Sequence, residues 1–315
     1  MYALPSTSVK HFLTSFAEIA CRHVKSRLGG RSPVSIEPTV VVDNLLFPES
    51  PRWHEGALWF SDMYAGRVCR YEPGATQLET VLELDDRPSG IGWLPDGRML
   101  VVSMAERRML RLEPLGLTLH ADLRPFVTGD ANDAVVGPGG RAYVGNFGAG
   151  YAEGSEVQPA NLVIVEPDGQ ARPGPGGLLF PNGTVITPDG KRMIIAEGFR
   201  RQLTEFDIAE GGALVNRRVF AELDEIPDGV ALDEAGGVWV ALPLGQEFIR
   251  VDPGGNVTSR ISVAPYGAFA CALGGWERRT LFMCVALGTP EEIRNRASRG
   301  RIVAAPIDPG GCGWP

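Results

Sequence analysis

The feature that most constrains this chain is a pattern that recurs six times along it. An apolar, alternating stretch runs into a short turn rich in Asp, Gly or Pro, and a second β-rich run follows. The copies are SPRWHEGALWFSD from Ser50, GIGWLPDGRMLVVS from Gly90, DAVVGPGGRAYVGN from Asp133, GTVITPDGKRMIIAE from Gly183, GVALDEAGGVWVAL from Gly229 and a degraded ALGGWERRTLFMCVA from Ala272. Successive starts lie 40, 43, 50, 46 and 43 residues apart. Each copy predicts a hairpin, because period-two alternation on both sides of a Gly-containing turn is how paired strands read. A third run is visible after most copies, as in GRVCRYEPG (66–74), RRMLRLEP (107–114) and QLTEFDI (202–208), and linking runs such as TVLEL (80–84) supply a fourth. Four antiparallel strands per period of about 40–50 residues describe a propeller blade. Six of them predict an all-β fold, a six-bladed β-propeller with four-stranded antiparallel blades, over residues 36–315. The β-branched run Thr39–Val42 is placed to supply the outer strand of the last blade. A β-sandwich of similar composition is the competing architecture.

Composition agrees. The 40 Gly and 25 Pro among 315 residues are spread along the chain, which suits many short elements joined by tight turns and argues against a bundle of long helices. Residues 1–35 are the exception. From Ser8 to Leu28, Val9, Phe12, Leu13, Phe16, Ile19, Ala20 and Val24 fall at helical spacing, and Gly29-Gly30 supplies a stop. This predicts an N-terminal helical extension, packed on the outside of the propeller or offered to a partner or a membrane surface, and a candidate homodimer element. Charged residues interrupt it as a signal sequence, and no stretch reaches the roughly 20 apolar residues needed to span a bilayer. The net charge of −8, with nothing arguing for a basic face, speaks against a nucleic-acid partner. Five cysteines without a CxxC pair read as reduced thiols of a cytoplasmic protein, with a single disulfide left open.

In a propeller the first strand of each blade lines a central channel, and the segments leading into those strands gather at one mouth. Polar residues there converge although they are far apart in sequence: Glu49, Ser89, Asn132 with Asp133, Asn182 and Asp228, while the sixth blade offers only Phe269-Ala270-Cys271. Three sit in matched settings, Phe47-Pro48-Glu49-Ser50, Phe180-Pro181-Asn182-Gly183 and Ile226-Pro227-Asp228-Gly229. The proline fixes φ ahead of an oxygen-bearing side chain. Two carboxylates and an amide aimed at one axis repel, or go unsatisfied, unless a positive charge lies between them. Glu49, Asn182 and Asp228 are therefore candidate ligands of one divalent cation. All-oxygen donors favour Ca²⁺ first, with Mg²⁺, Mn²⁺, Zn²⁺ or Fe²⁺ as alternatives. Asp-Gly and Asn-Gly are also ordinary turn pairs, and Pro-Asp-Gly at 95–97 and 188–190 read as plain hairpin turns. Asn182 and Asp228 differ in lying ahead of a first strand.

At these residues the chain resembles the SMP-30/gluconolactonase/luciferin-regenerating family. The resemblance runs from about Val40 to Asp308 and is strongest in ESPRWHEGALWFSDMYAGRVCRYEP, NGTVITPDGKRMIIAE, IPDGVALDEAGGVWVA and CALGG. It implies a six-bladed propeller with one divalent metal in the channel, held at positions that are here Glu49, Asn182 and Asp228. It also implies an Asn near the metal that contacts substrate or a bound water, here Asn132 followed by Asp133. Sugar-lactonase members carry an Arg two residues before that Asn, where this chain has Asp130. The reversed charge argues against a gluconolactone-like substrate. The mouth loops carry Phe47, Phe147, Tyr151, Phe199, Leu244, Tyr266 and Phe269, which point to a larger, more hydrophobic lactone or ester. Phe147 and Tyr266 join Asn132 and Asp130 as expected substrate contacts.

The implied activity is that of a metal-dependent lactonase or carboxylic ester hydrolase, with Asp228 as base toward the attacking water and Asn132 orienting water or substrate. No GxSxG elbow is present, and His11, His23, His54 and His120 offer no base at a channel position. Glu197, in IIAEGFRRQ, reads as blade packing paired with Arg200 or Arg201. Two other readings stay open: a non-catalytic calcium-binding scaffold, and a strictosidine-synthase-like propeller, which relies on a pocket Glu instead of a Glu/Asn/Asp trio.

Overall fold

The computed structural model describes residues 37–148 and 158–312. The helix expected between Ser8 and Leu28 lies outside the described residues, as do His11, His23, Cys21 and Tyr151. Within them the chain forms six four-stranded antiparallel sheets. Five are sequential, and the sixth is closed by Thr39–Leu45, which pairs antiparallel with Arg299–Pro306 as the outermost strand. The two ends of the described chain thus share one blade, and the ring is latched by strand pairing as the Thr39–Val42 run predicted.

The innermost strands are Pro48–His54, Pro88–Trp93, Ala131–Val136, Pro181–Ile186, Val230–Leu232 and Gly267–Gly274. Those of blades 3 and 4 are buried at every residue. A strand packed by neighbouring blades on both faces has no solvent side, so its alternation is lost. The outermost strand of blade 4, Leu214–Glu222, is largely exposed. Between each adjacent pair of blades lies an apolar cluster, for example Trp239 and Phe248 of blade 5 against Leu281 and Met283 of blade 6. Six such clusters close the ring. Each fully buried large side chain contributes roughly 1.5–3 kcal/mol of burial free energy.

Glycine sets how closely the blades meet at the axis. A Cβ on Gly183 would lie 2.5 Å from Gly229 Cα and 2.6 Å from the Asp228 carbonyl oxygen. This is a physical reason for a small residue directly after the Asn and Asp of these motifs. Gly183→Ala is expected to destabilise the fold by about 1–3 kcal/mol through overpacking, read as a lowered denaturation midpoint. An unchanged midpoint would contradict the close approach.

The Pro-Asp-Gly turns at 95–97 and 188–190 are hairpin turns, with Gly97 and Gly190 at positive φ and their amides returning to Leu94 and Thr187. Among the described residues one short α-helix, Pro290–Arg294, and four three-residue 3-10 turns accompany the β-strands. A capping box explains the start of the α-helix: Thr289 accepts from the Glu292 amide while the Glu292 carboxylate accepts from the Thr289 amide. Among the described residues no helix is long and apolar enough to cross a bilayer. Cys69, Cys271 and Cys284 are free thiols, and all three are buried.

Candidate active site at the channel axis

The site begins with a defect in the inner strands. In blades 1 to 4 the pairing register slips at the polar position, directly after Glu49 (between Glu49 and Arg52) and across Ser89, Asn132 and Asn182 (between Pro88 and Ile91, Ala131 and Ala134, and Pro181 and Thr184). A bulge bends its strand and redirects a side chain. Glu49, Ser89, Asn132 and Asn182 therefore sit inside the first strands, at the bulge, rather than ahead of them as the sequence suggested. Only Asp228 precedes its strand. Its amide donates to the Ala241 carbonyl (3.0 Å), and the next amide, of Gly229, donates to Phe269 in blade 6 (2.8 Å).

The bulged side chains meet across blades. Ser89 Oγ lies 3.5 Å from Asn132 Oδ1, and Asn132 Nδ2 donates to Asn182 Oδ1 at 3.1 Å. The Asn182 side chain in turn hydrogen-bonds Asp228. One polar chain thus links blades 2, 3, 4 and 5. Blade 1 joins through Arg52, which is buried and donates to Asp133 Oδ1 and the Ala134 carbonyl, both at 2.8 Å. Blade 6 contributes an apolar wall of Phe269, Ala270 and Cys271.

Glu49 and Asp228 keep part of their surface open to the channel while Asn132, Asn182 and Asp133 are buried. Burial pushes the Glu49 carboxyl up to about 8, against a hydrogen bond from the Ser50 amide; Asp133 adds to the rise and Arg52 opposes it. Asp228 is held well above the usual carboxylate range by burial first, then by Glu49 and Asp133, with the Asn182 hydrogen bond acting the other way. The two acids resist ionising together because both are desolvated and the charge of Glu49 acts on Asp228; the nearby Arg52 is paired with Asp133. Among the described residues no three His, Cys, Asp or Glu side chains gather as a metal-holding group. Any cation here would be held by a mixed set of carboxylates and amide.

Around the mouth, Phe147 is buried in a cluster with Phe47, Met63, Met104, Phe180 and Phe269, and its ring stacks on Phe180 at 4.9 Å. Tyr266 lies elsewhere, against the core between blades 5 and 6, with the Arg301 guanidinium 4.5 Å from its ring centre. Asp130 accepts a hydrogen bond from Arg87 Nη2 at 2.5 Å. Arg87 comes from the lead-in to blade 2, so the charge at position 130 is balanced by a guanidinium, a pairing 43 residues apart that no local motif announces. His54, at the end of an inner strand and not in a turn, stacks on Trp93, and His120 sits in the outer strand Gly116–Asp122 beside Arg111. Glu197 is fully buried and paired with Arg200 and Arg217, in line with its reading as packing. The reach to Arg217, across the sheet, was not legible from the motif.

A six-bladed propeller latched by its own ends, with a continuous polar network of carboxylates and amides across the axis, defines the class. Residues 47–287 match the SMP-30/Gluconolactonase/LRE-like region, and the chain belongs to that family. It is 27% identical over 251 residues to pentonolactonase XacC of Haloferax volcanii, covering 76% of this chain and 81% of the relative. It is 25% identical over 282 residues to regucalcin of Oryctolagus cuniculus, covering 86% and 94%. Among solved structures, a calcium-binding protein, regucalcin, from Agrobacterium tumefaciens superimposes with a TM-score of 0.73 at 17% identity, over 90% of this chain and 99% of that one.

Proposed function

We propose that the chain is a divalent-metal-dependent lactonase that opens a lactone or related carboxylic ester at the axial site. Family membership supports lactone hydrolysis in general. The observation that carries the metal is the gathering of two carboxylates, Glu49 and Asp228, with the amide network of Asn132 and Asn182 at the axis, where the nearby guanidinium is already committed to Asp133; burial raises both carboxyls, and Glu49 adds to the rise of Asp228. The donor set fits a hard cation. Glu49, Asn182 and Asp228 would hold it through oxygen atoms alone, which favours Ca²⁺ and admits Mg²⁺, Mn²⁺, Zn²⁺ or Fe²⁺. The buried Ser50 Oγ, next along the chain, lacks a hydrogen-bond partner, a further sign of polar surplus here. When bound, such a cation polarises the scissile carbonyl and stabilises the developing oxyanion.

The chain's own residues supply the rest. Asp228, partly open to the channel and steadied by Asn182, takes the proton of the attacking water. Asn132 is held in orientation by Ser89 on one side and Asn182 on the other, and it directs the water or the substrate. The aromatic cluster around Phe147 excludes water from the mouth. With the Arg87-paired Asp130 it favours a substrate more hydrophobic than a sugar lactone. On a lactone panel, alkyl or aromatic lactones are expected to exceed aldonolactones in kcat/KM by tenfold or more. The reverse order would overturn the apolar preference while leaving lactonase activity standing. The free, buried thiols suit a reducing compartment such as the cytoplasm.

A second reading has one observation in its favour, the Agrobacterium neighbour described as a calcium-binding protein: the cation is held without turnover. Calorimetric titration with Ca²⁺ combined with the lactone panel separates the two. Tight binding with no turnover on any lactone or ester selects the scaffold.

A further inference from the structure

Two buried carboxylates outside the axial network grip the segments that deliver Glu49 and Asn182. Asp62 ends the second strand of blade 1 and Glu197 ends that of blade 4; both are fully buried. Asp62 Oδ1 accepts the backbone amides of Leu46 and Phe47 at 3.0 and 2.9 Å, and its Oδ2 accepts Arg67 Nη2 and Nε at 2.9 and 3.2 Å. Glu197 Oε2 accepts the Leu179 amide at 3.0 Å and faces Arg200 Nε at 3.0 Å, while its Oε1 takes Arg217 Nη2 at 2.6 Å and the side chains of Gln202 and Thr204. The held amide of Phe47 directly precedes Pro48-Glu49, and that of Leu179 lies one residue further back, ahead of Phe180-Pro181-Asn182. Return bonds complete each clamp, from the Met63 amide to Phe47 (2.9 Å) and from the Gly198 amide to Phe180 (3.0 Å).

The blade 4 segment needs holding. Phe180 has φ 58°, a left-handed conformation that costs a bulky residue energy and persists only when its surroundings enforce it. A Cβ at Gly198 would lie 2.5 Å from the Phe180 ring, so glycine there lets the strand end close onto it. The second strands of the other four blades end in Ser103, Asn146, Leu242 and Leu287. The carboxylate occurs only in the two blades whose lead-in reads Phe-Pro followed by the candidate ligand.

We propose that Asp62 and Glu197 are positioning residues that fix the direction of Glu49 and Asn182 toward the cation, an inference that rests on the metal reading above. All five groups bonded to Glu197 donate to it, so in Glu197→Gln the new amide nitrogen is set either against the Leu179 amide and Arg200 or against Arg217. Asp62→Asn sets its nitrogen against either Arg67 or the two backbone amides. Both variants are expected to weaken Ca²⁺ binding to the metal-free protein 10–100-fold, the usual cost of removing support behind a ligand, and to speed amide exchange at Leu179 or Phe47.

Asp233→Asn is the control. It removes an equally buried carboxylate, paired with Arg250 at 2.6 Å, from a hairpin turn far from the lead-in segments. It is expected to lower the melting temperature with Ca²⁺ affinity changed less than threefold. Arg67→Met, which leaves Asp62 in place but unpinned, is the milder variant should a carboxylate replacement fail to fold, and a threefold or greater loss of affinity is expected from it. If wild type binds and the clamp variants bind equally well, or weaken only as the control does, the positioning role is overturned. If wild type itself binds no divalent cation, the metal reading fails instead.

Discussion

Asp228→Asn is expected to lower kcat/KM for lactone hydrolysis by about 10³-fold or more while the protein keeps its propeller circular-dichroism spectrum. Removing a general base alone typically costs 10²–10⁴-fold, and here the same side chain is a proposed cation ligand, so both losses fall on one substitution. Asparagine retains the volume and the hydrogen-bonding capacity toward Asn182, and the backbone at this position is held independently by the Ala241 carbonyl. The effect is thus expected in rate and metal affinity, with little in folding. Steady-state kinetics across a range of added cation separates the two. If saturating metal restores full activity, Asp228 is a ligand only and the base lies elsewhere. Activity within threefold of wild type at every cation concentration removes Asp228 from the mechanism.

The metal-free protein loses stability as pH rises from about 5 to 8, and added Ca²⁺ rescues it most at the top of that range. Burial places the Glu49 carboxyl near 8, from a reference of 4.5. Between those values the folded chain keeps a proton that the unfolded chain has released, so raising pH favours unfolding. Asp228, raised for the same cause, acts in the same direction. At about 1.4 kcal/mol per unit of displacement, the total is on the order of a few kcal/mol. His54 and His120 oppose it: burial lowers both, so the unfolded chain binds their protons more readily and rising pH favours the folded state. Glu49→Gln leaves these histidines in place, and its difference from wild type isolates the carboxylate. A cation must displace the proton to bind, so the Ca²⁺-induced shift in melting temperature should be small at pH 5 and largest near pH 8. Equal shifts at both pH values would show that the cation does not bind these carboxylates.

The ring was legible because a blade repeats itself. Turn residues and alternation recur at a regular spacing, and even the closing strand could be read from the β-branched run at Thr39–Val42. The positions of the axial residues were also legible, since Pro-Asn-Gly and Pro-Asp-Gly stand out from hairpin turns by their place in the repeat. Their pairings were not. Asn132 meets Asn182 across 50 residues and Arg52 meets Asp133 across 81, contacts made by ring closure and carrying no local signal. The bulges that move Glu49 and Asn182 into their strands leave an alternation pattern that a single sequence does not distinguish from a loop boundary. Asp130 shows the hazard of reading one charge alone. Its neighbour Arg87 belongs to another blade, and the charge reversal expected from the motif is a neutral pair in the fold. The hold of Asp62 and Glu197 on the lead-in segments was not legible because the groups held there are backbone amides, which sequence does not display.

The central claim is that the axial carboxylates and amide make a cation-dependent lactone-opening site, and proton release during lactone hydrolysis tests it most directly. The protein is stripped with chelator, assayed on alkyl, aromatic and sugar lactones, then assayed again with Ca²⁺, Mg²⁺, Mn²⁺, Zn²⁺ or Fe²⁺ restored. Turnover is expected to be abolished by stripping, restored by at least one of these cations, and lost at all concentrations of that cation in Glu49→Gln combined with Asp228→Asn. Undiminished turnover in the stripped protein, or none on any lactone with the cation bound, would contradict it.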